Sequence, residues 1–270
     1  KFLKESTSPE KDSFFTSIEF NEIDTLNAST LFDFVSELRY FDPDGLFPLF
    51  ITHSCNTPIS KDWVYILKKI HEDFNRVFLI IEVKTDSNTE NIRNLIEEKE
   101  TFSQTLIFKF LIDQNDFNLS KCFDLMIDST LNNNLMLCID HNKQIDYKKV
   151  ADRIISFNEE RRKKIIALEF DCGFPLCMFS DEQIGQLYKT PLISFNFFCS
   201  HMLVITPDLK IYYCKESTNI YVSLNKVENI TDATEQLDLL FEEQEVLLYE
   251  ECSSCWSYKK LCAGGCKLDK

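Results

Sequence analysis

Glycine is scarce in this chain, which has five glycines among its 270 residues. Proteins that hold a nucleotide on a glycine-rich loop need several glycines close together, because backbone N–H groups can then approach a phosphate. The sequence contains neither a Gly-x-Gly-x-x-Gly nor a Gly-Lys-Ser/Thr motif. We therefore expect no glycine-cradled phosphate site.

An excess of positive charge is also lacking. The chain has 29 basic and 44 acidic residues, a formal net charge of −15 at pH 7, and this charge repels the phosphate backbone of nucleic acids. No apolar run reaches the roughly 18–20 residues that span a bilayer, and no secretory signal peptide is recognisable. The sequence thus predicts a cytoplasmic protein that binds neither nucleic acid nor membrane.

Apolar strands do alternate with amphipathic helices through much of the chain. Five strands are predicted at 46–55, 76–84, 105–113, 134–140 and 163–171, with a candidate sixth at 13–20. In the helix after the first of these five, one apolar face is predicted from the spacing of Trp63, Ile66, Leu67 and Ile70. Such alternation is typical of right-handed βαβ units on a parallel sheet. The fold class expected is therefore α/β.

The pattern changes after residue 171. Residues 197–214 are predicted to form a β-hairpin with Pro207-Asp208 at its turn, and an acidic amphipathic helix is predicted over about 234–250. We therefore expect three parts, which are a mobile N-terminal arm (1–12), an α/β unit (13–180) and a smaller cysteine-rich module (181–270).

Cysteine is concentrated in this last part of the chain. Eight of the eleven cysteines lie between residues 172 and 266, and the last four have the spacing C-x2-C-x6-C-x3-C. Gly264-Gly265 lets the backbone fold tightly between the last two. Where no export signal is present, such clustering favours metal or cluster ligation over disulfides. Composition alone does not separate zinc from iron–sulfur, since thiolates bind both.

Residues 170–270 resemble the SPASM domain. The resemblance rests on Cys199-x14-Cys214 with TPDLKIYYC, followed by C-x2-C-x6-C-x3-C with CAGGC. SPASM domains follow the catalytic barrel in many radical S-adenosylmethionine (SAM) enzymes that modify peptides, and they carry auxiliary [4Fe–4S] clusters. The resemblance therefore implies a partial (β/α) barrel of the radical SAM type, followed by a small SPASM-like iron–sulfur domain with one or two [4Fe–4S] clusters.

The resemblance also implies which cysteines hold each cluster. One cluster would be bound by Cys199, Cys214 and Cys266, with Cys177 or Cys172 as the fourth ligand. A second would be bound by Cys252, Cys255 and Cys262, whose fourth ligand normally lies farther downstream in the family. The alternative is a single metal ion, such as zinc, bound by Cys252, Cys255, Cys262 and Cys266.

The chain departs from the family pattern where SAM would bind. Radical SAM enzymes need C-x3-C-x2-C after the first strand, because three thiolates leave one iron open to chelate SAM. That spacing is absent, as is the Gly-Gly-Glu stretch of the next strand, and Cys55 stands alone at the corresponding strand end. SAM binding is therefore not expected, and the barrel is interpreted as degenerate. Two smaller departures are Leu209, where the hairpin turn usually has glycine, and the third terminal cysteine, Cys262, which lies one residue later than usual.

These features favour an iron–sulfur protein that acts in the maturation of a ribosomally made peptide, as an accessory or substrate-handling partner. Its own partner would be a precursor peptide or a peptide-modifying enzyme. Two alternatives remain. One is an active radical SAM/SPASM enzyme whose N-terminal cluster loop is absent from this chain, and the other is a zinc-stabilised interaction protein.

Polar residues near the carboxyl ends of predicted strands are weaker candidates for a site. They are His53, His141, Asp140 and Asp171. Active sites of (β/α) barrels lie at that end, and a pair of carboxylates there can bind a ligand or act in acid–base chemistry. Ordinary polar roles, such as helix capping, are nevertheless expected for each, and no catalytic residue is assigned.

Overall fold

The computed structural model describes residues 18–20, 28–41, 48–74, 76–102, 104–129, 134–140, 143–171, 173–189, 193–194, 203–206, 208–213, 220–242, 250–258, 260, 262 and 264. The chain divides into two compact units. The N-terminal unit is Ser17–Phe197, and the C-terminal unit comprises Phe198–Lys270 with Lys1–Thr16. The predicted arm, 1–12, lies outside the described residues.

The N-terminal unit is built on a parallel sheet of seven strands that pair in chain order. The strands are β1 (Ile18–Phe20), β2 (Leu49–Ser54), β3 (Val77–Val83), β4 (Leu106–Ile112), β5 (Asn134–Ile139), β6 (Ala167–Phe170) and β7 (Ile193–Ser194). The five longest, β2 to β6, correspond to the five predicted strands, and β1 lies within the candidate sixth. The α/β class is thus confirmed, while β7 was not predicted.

Helices connect these strands. They are α1 (Ala28–Phe41), α2 (Lys61–Asp73), α3 (Arg93–Glu97), α4 (Lys99–Phe102), α5 (Ser120–Ser129), α6 (Tyr147–Ser156), α7 (Asn158–Lys163) and α8 (Asp181–Tyr188). No described helix is both long and apolar enough to cross a membrane.

Capping and amphipathicity explain where α2 forms. Ser60 accepts a hydrogen bond from the Trp63 N–H at the helix start, which satisfies a donor that the first turn leaves unpaired. The buried face is Val64, Leu67 and Ile70. The predicted face was therefore partly wrong, because Trp63 and Ile66 are only half-buried. The stripe that meets the sheet is displaced around the helix by about one residue.

Because the strands pair in chain order, the connecting helices are expected to lie on one face of the sheet. Right-handed crossovers that always step in the same direction lead to this arrangement, whereas a doubly wound sheet reverses direction and has helices on both faces. In β3, Val77, Leu79, Ile81 and Val83 are buried, while the alternate residues Phe78, Ile80 and Glu82 are half-buried. The side chains of the second group point to the other face, which we call the second face.

The C-terminal unit contains a small antiparallel sheet and one long helix. Its strands are β8 (Val204–Ile205), β9 (Lys210–Tyr212) and β10 (Val222–Ser223), in the order β10-β9-β8. Helix α9 is Ile230–Glu242, so the predicted helix is confirmed in part, and 243–249 lies outside the described residues. One core joins the sheet to α9 through Ile211, Tyr213, Ile220, Val222, Ala233 and Leu237.

The β8–β9 hairpin confirms the predicted hairpin within 197–214. Its turn contains Leu209, which has a φ of 60°, a left-handed conformation that favours glycine. The N–H of Leu209 donates to the Thr206 carbonyl at 2.9 Å, and its own carbonyl accepts from the Leu224 N–H at 2.8 Å. Leu209 therefore takes the backbone shape that a glycine would take, and two hydrogen bonds hold it there. Pro207 lies outside the described residues.

Candidate functional site

The terminal cysteine segment begins with a short 3-10 helix, Glu250–Ser254. Tight turns follow it, in which the Cys255 N–H donates to the Cys252 carbonyl and the Tyr258 N–H to the Cys255 carbonyl, both at 3.2 Å. The Cys262 N–H donates back to the Ser257 carbonyl, also at 3.2 Å. The chain thus folds back on itself and brings Cys262 towards Cys252.

Gly264 lies close to the sulfurs of both cysteines. Its N–H donates to the Cys262 sulfur at 3.2 Å, and a Cβ on Gly264 would lie 3.4 Å from the Cys252 sulfur and 3.1 Å from the Tyr258 ring. The φ of Gly264 is +84°, as expected for the tight fold predicted at Gly264-Gly265; Gly265 lies outside the described residues. The sulfurs of two buried cysteines therefore lie next to one glycine, which has no side chain to displace them.

The structure describes four of the eight cysteines that were predicted as ligands. Cys252 and Cys262 are buried, Cys255 is exposed, and Cys177 is exposed in the 3-10 turn Leu176–Met178 of the N-terminal unit. The other four lie outside the described residues: Cys172, Cys199, Cys214 and Cys266. In the described part of the chain, no group of three or more His, Cys, Asp or Glu side chains could hold a metal ion. The ligand assignment therefore stays a prediction.

The cysteines of the N-terminal sheet have a different environment. Cys55 and Cys122 are fully buried. Burial raises the pKa of Cys55 to about 11, and burial, together with Cys55, raises the pKa of Cys122 even further. Both thiols are thus protonated at neutral pH, and a protonated thiol is a poor metal ligand. These properties are those of core thiols.

A row of mostly polar side chains, interrupted by one methionine, crosses the second face of the N-terminal sheet. The strand register aligns Ser54 with Glu82, Glu82 with Lys109, Lys109 with Met136, and Met136 with Glu169. We call these five residues the polar row. Parallel strands buried on both faces are usually continuous apolar sequences. The charged residues at one level of three of these strands therefore differ from the usual apolar composition of such strands.

Lys109 is the central residue of the polar row. Its side chain is 10% exposed, and its Nζ lies 3.4 Å from Asp171 Oδ2 and 3.9 Å from Glu82 Oε1. Burial acts to lower the pKa of Lys109, but the neighbouring Cys138, Asp171 and Glu82 outweigh it and hold the pKa above its ordinary value. Lys109 is therefore an ammonium ion inside a largely apolar sheet.

Sequence reasoning missed Lys109. The signal was the sequence LIFKFLI, in which one lysine interrupts an otherwise apolar strand. Among the polar residues at the strand ends, Asp171 lies 3.4 Å from Lys109, and Asp140 lies 3.9 Å from Lys84. His53 is buried and its Nε2 is 2.9 Å from the Thr57 carbonyl, whereas His141 lies outside the described residues.

Comparisons with protein-family models, with curated proteins and with solved structures gave no match. The resemblance to the SPASM domain therefore rests on the cysteine spacing and the neighbouring residues alone.

Proposed function

We propose that the C-terminal unit binds an iron–sulfur cluster through its cysteines, and that the protein acts as an accessory or substrate-handling partner in the maturation of a ribosomally made peptide. Cys252 and Cys262 would be ligands, together with cysteines of the predicted set outside the described residues. Zinc at the same cysteines is the alternative. A cluster would supply electron transfer or a rigid structural centre.

The observation that carries this proposal is the convergence of Cys252 and Cys262 on Gly264. Hydrogen bonds from backbone N–H groups to sulfur stabilise a thiolate and tune a bound cluster, and the Gly264 N–H makes such a bond to Cys262. Both sulfurs are largely shielded from water, which protects a cluster from oxidation. The position and burial of the two thiols are therefore compatible with their binding a cluster or a zinc ion.

The N-terminal sheet supports the proposed partial barrel of the radical SAM type. Its strands run in sequential parallel order, as they do in (β/α) barrels. The second face, which the connecting helices leave uncovered, carries a polar row near the carboxyl ends of the strands. A barrel would enclose that face as its interior, where sites of such folds lie.

The proposed barrel is degenerate. Cys55, the cysteine at the end of β2, is fully buried and protonated at neutral pH, so it resembles a core residue and not a cluster ligand. The sequence supplies no further cysteines beside it. An accessory role is therefore proposed, in which the acidic protein, with a net charge of −15, holds a peptide or a partner enzyme in the cytoplasm.

Metal analysis of anaerobically purified protein tests this proposal. We expect a brown protein with broad absorbance at about 400 nm and iron matched by acid-labile sulfide. A colourless protein with stoichiometric zinc and no sulfide would favour the zinc-stabilised interaction protein. A protein without either metal, after reconstitution as well, would overturn the proposal.

A further inference from the structure

Cys252 and Cys255 differ in their exposure to solvent, although they are close neighbours in the chain. Cys252 is 8% exposed, whereas Cys255 is an exposed residue, and both are thiols in this structure. A thiol must be accessible to react with a molecule in solution, and burial protects a thiol from that attack. Of the two, Cys255 is therefore the one that an oxidant in solution reaches first.

The backbone holds these two cysteines at a short distance. Cys252 lies in the 3-10 helix Glu250–Ser254, and the Cys255 N–H donates to the Cys252 carbonyl at 3.2 Å. Residues i and i+3 of such a turn lie one above the other, with Cα atoms less than about 7 Å apart. Disulfides usually join residues whose Cα atoms are about 4.4–6.8 Å apart. A bond between Cys252 and Cys255 therefore requires little movement of the backbone.

We propose that Cys255 and Cys252 form a thiol pair that a small, uncharged dialkyl disulfide oxidises to a disulfide. Cys255 is the attacking thiol, and Cys252 is the resolving thiol. Glu250 and Glu251 are exposed in the same 3-10 helix, so their carboxylates repel an anionic oxidant. The net charge of −15 acts in the same direction. An uncharged disulfide therefore fits this pair better than an anionic one such as oxidised glutathione.

The reaction has two exchange steps. In the first, the thiolate of Cys255 attacks one sulfur of the oxidant, a mixed disulfide forms, and one alkyl thiolate leaves and takes up a proton. In the second, the thiolate of Cys252 attacks the sulfur of Cys255, the internal disulfide forms, and the second alkyl thiolate leaves. The pair loses two electrons and two protons, and the oxidant becomes two thiols.

Cys262 is the competing partner for Cys252. Its sulfur accepts the hydrogen bond from the Gly264 N–H at 3.2 Å, and Cys262 is 6% exposed. A disulfide between Cys252 and Cys262 would have to start with attack by one of two buried thiols, whereas a disulfide with Cys255 starts at an exposed thiol. The structure therefore favours Cys255.

Oxidation of this pair would control the binding of a metal. Cys252 and Cys255 belong both to the predicted second cluster and to the alternative zinc site. A metal or cluster needs thiolates as ligands, so the disulfide removes two of them at once. This consequence rests on the proposed function, whereas the reaction of the two thiols does not.

The test uses the full chain, freed of metal with a chelator and reduced under anaerobic conditions. It is incubated with hydroxyethyl disulfide, and the remaining thiols are alkylated before digestion with trypsin. Cleavage after lysine places Cys252 and Cys255 in the peptide 227–259 and Cys262 in the peptide 261–267. We expect peptide 227–259 to be unalkylated and two hydrogens lighter than its reduced form. A crosslink between the two peptides, or alkylation of both cysteines, would overturn the inference.

Three substitutions assign the roles. Cys252→Ser should trap the hydroxyethyl group on Cys255, because the resolving thiol is missing. Cys255→Ser should slow the oxidation of Cys252 by at least about tenfold, because the exposed thiol is missing. The matched control is Cys177→Ser, which removes an exposed thiol of the N-terminal unit and should leave the rate unchanged. The proposed roles are wrong if Cys252→Ser carries no adduct or if Cys177→Ser slows oxidation as much as Cys255→Ser does.

The class of oxidant is tested by its charge. Relative to a small reference thiol, oxidised glutathione should react with the chain at least about threefold more slowly than hydroxyethyl disulfide at low salt, and the difference should shrink at high salt. Faster reaction of oxidised glutathione would contradict the preference for an uncharged oxidant.

Urea separates a preformed pair from two cysteines that are merely close in sequence. The effective concentration of the two thiols, measured from the equilibrium with hydroxyethyl disulfide, should fall at least about tenfold in concentrated urea, and an unchanged value would contradict the role of the turn. Iron, zinc and sulfide are measured before chelation on the same preparations. Iron without disulfide formation after chelation counts against this inference alone, whereas disulfide formation in a chain that binds no metal counts against the proposed function alone.

Discussion

The backbone N–H of Gly264 donates a hydrogen bond to the sulfur of Cys262 at 3.2 Å. A Cβ on the same glycine would lie 3.4 Å from the sulfur of Cys252. One small residue thus lies next to two buried cysteines, and its substitution should affect both.

Gly264→Ala is expected to destabilise the C-terminal unit by about 1–2 kcal/mol, because an L-residue in the left-handed region is strained. Its Cβ would also approach the Tyr258 ring to 3.1 Å. Iron content should fall with stability, as measured by metal analysis and by anaerobic denaturation.

Gly185→Ala is the control, since its Cβ would contact nothing within 4 Å. In helix α8 it should stabilise by about 0.5–1 kcal/mol. Unchanged iron and stability in Gly264→Ala would contradict the role of this glycine.

Cys262→Ala should reduce the cluster content of the protein more than Cys122→Ala does. Loss of a ligand removes binding energy that is coupled to folding of the cysteine-rich segment. Cys122 is a buried, protonated thiol, so its loss creates a small cavity that typically costs about 1 kcal/mol. The predicted ligands Cys199, Cys214 and Cys266 should behave like Cys262, and Cys138 like Cys122. Iron and sulfide per chain are the readout, and equal losses across the two groups would refute the ligand assignment.

The protein is expected not to cleave SAM. Reductive cleavage needs an iron with an open coordination site, and the N-terminal unit has at its β2 end only Cys55, whose pKa is raised to about 11 by burial. Reconstituted protein is incubated with dithionite and SAM, and 5′-deoxyadenosine is measured by chromatography. Product above a no-protein control, abolished by a cysteine substitution, would instead support an active radical SAM enzyme.

Arg161→Met is expected to stabilise the N-terminal unit by about 1–2 kcal/mol. Arg161 is fully buried and donates to the Ile166 carbonyl at 3.0 Å, whereas its Nε and Nη2 have no hydrogen-bond partner among the described residues. Burial lowers the pKa of Arg161 to about 10. A lowered pKa of a basic group means that the cost of its charge is complete below pH 10 and declines as the pH rises further.

The gain from Arg161→Met should therefore be the same across neutral pH and should shrink in strongly alkaline solution. Urea denaturation at several pH values measures it. Arg162→Met removes the same charge at the neighbouring exposed position, where an ion pair with Glu159 is worth little, and should change stability by less than about 0.5 kcal/mol. A destabilised Arg161→Met variant would show that the guanidinium has a partner in solution.

Much of the N-terminal fold follows from the sequence alone. The β2 to β6 strands are short apolar runs between amphipathic helices, and parallel pairing with right-handed crossovers is nearly obligatory for that alternation. The hairpin at 204–212 and the need for glycine at 264 were likewise predictable, because turns and tight folds depend on local backbone conformation. The cysteine spacing by itself also indicates metal or cluster chemistry.

The tertiary structure decided which residues share one face. Lys109, Asp171 and Glu82 are distant in sequence, and only the register of strands β3 to β6 brings the Lys109 ammonium within 4 Å of both carboxylates. A one-residue shift in register would turn Lys109 to the other face, and neither composition nor spacing specifies that register. The same holds for Cys252 and Cys262, which meet because the backbone between them folds back onto Ser257. Periodicity determines local structure, whereas the meeting of distant side chains depends on packing of the whole unit.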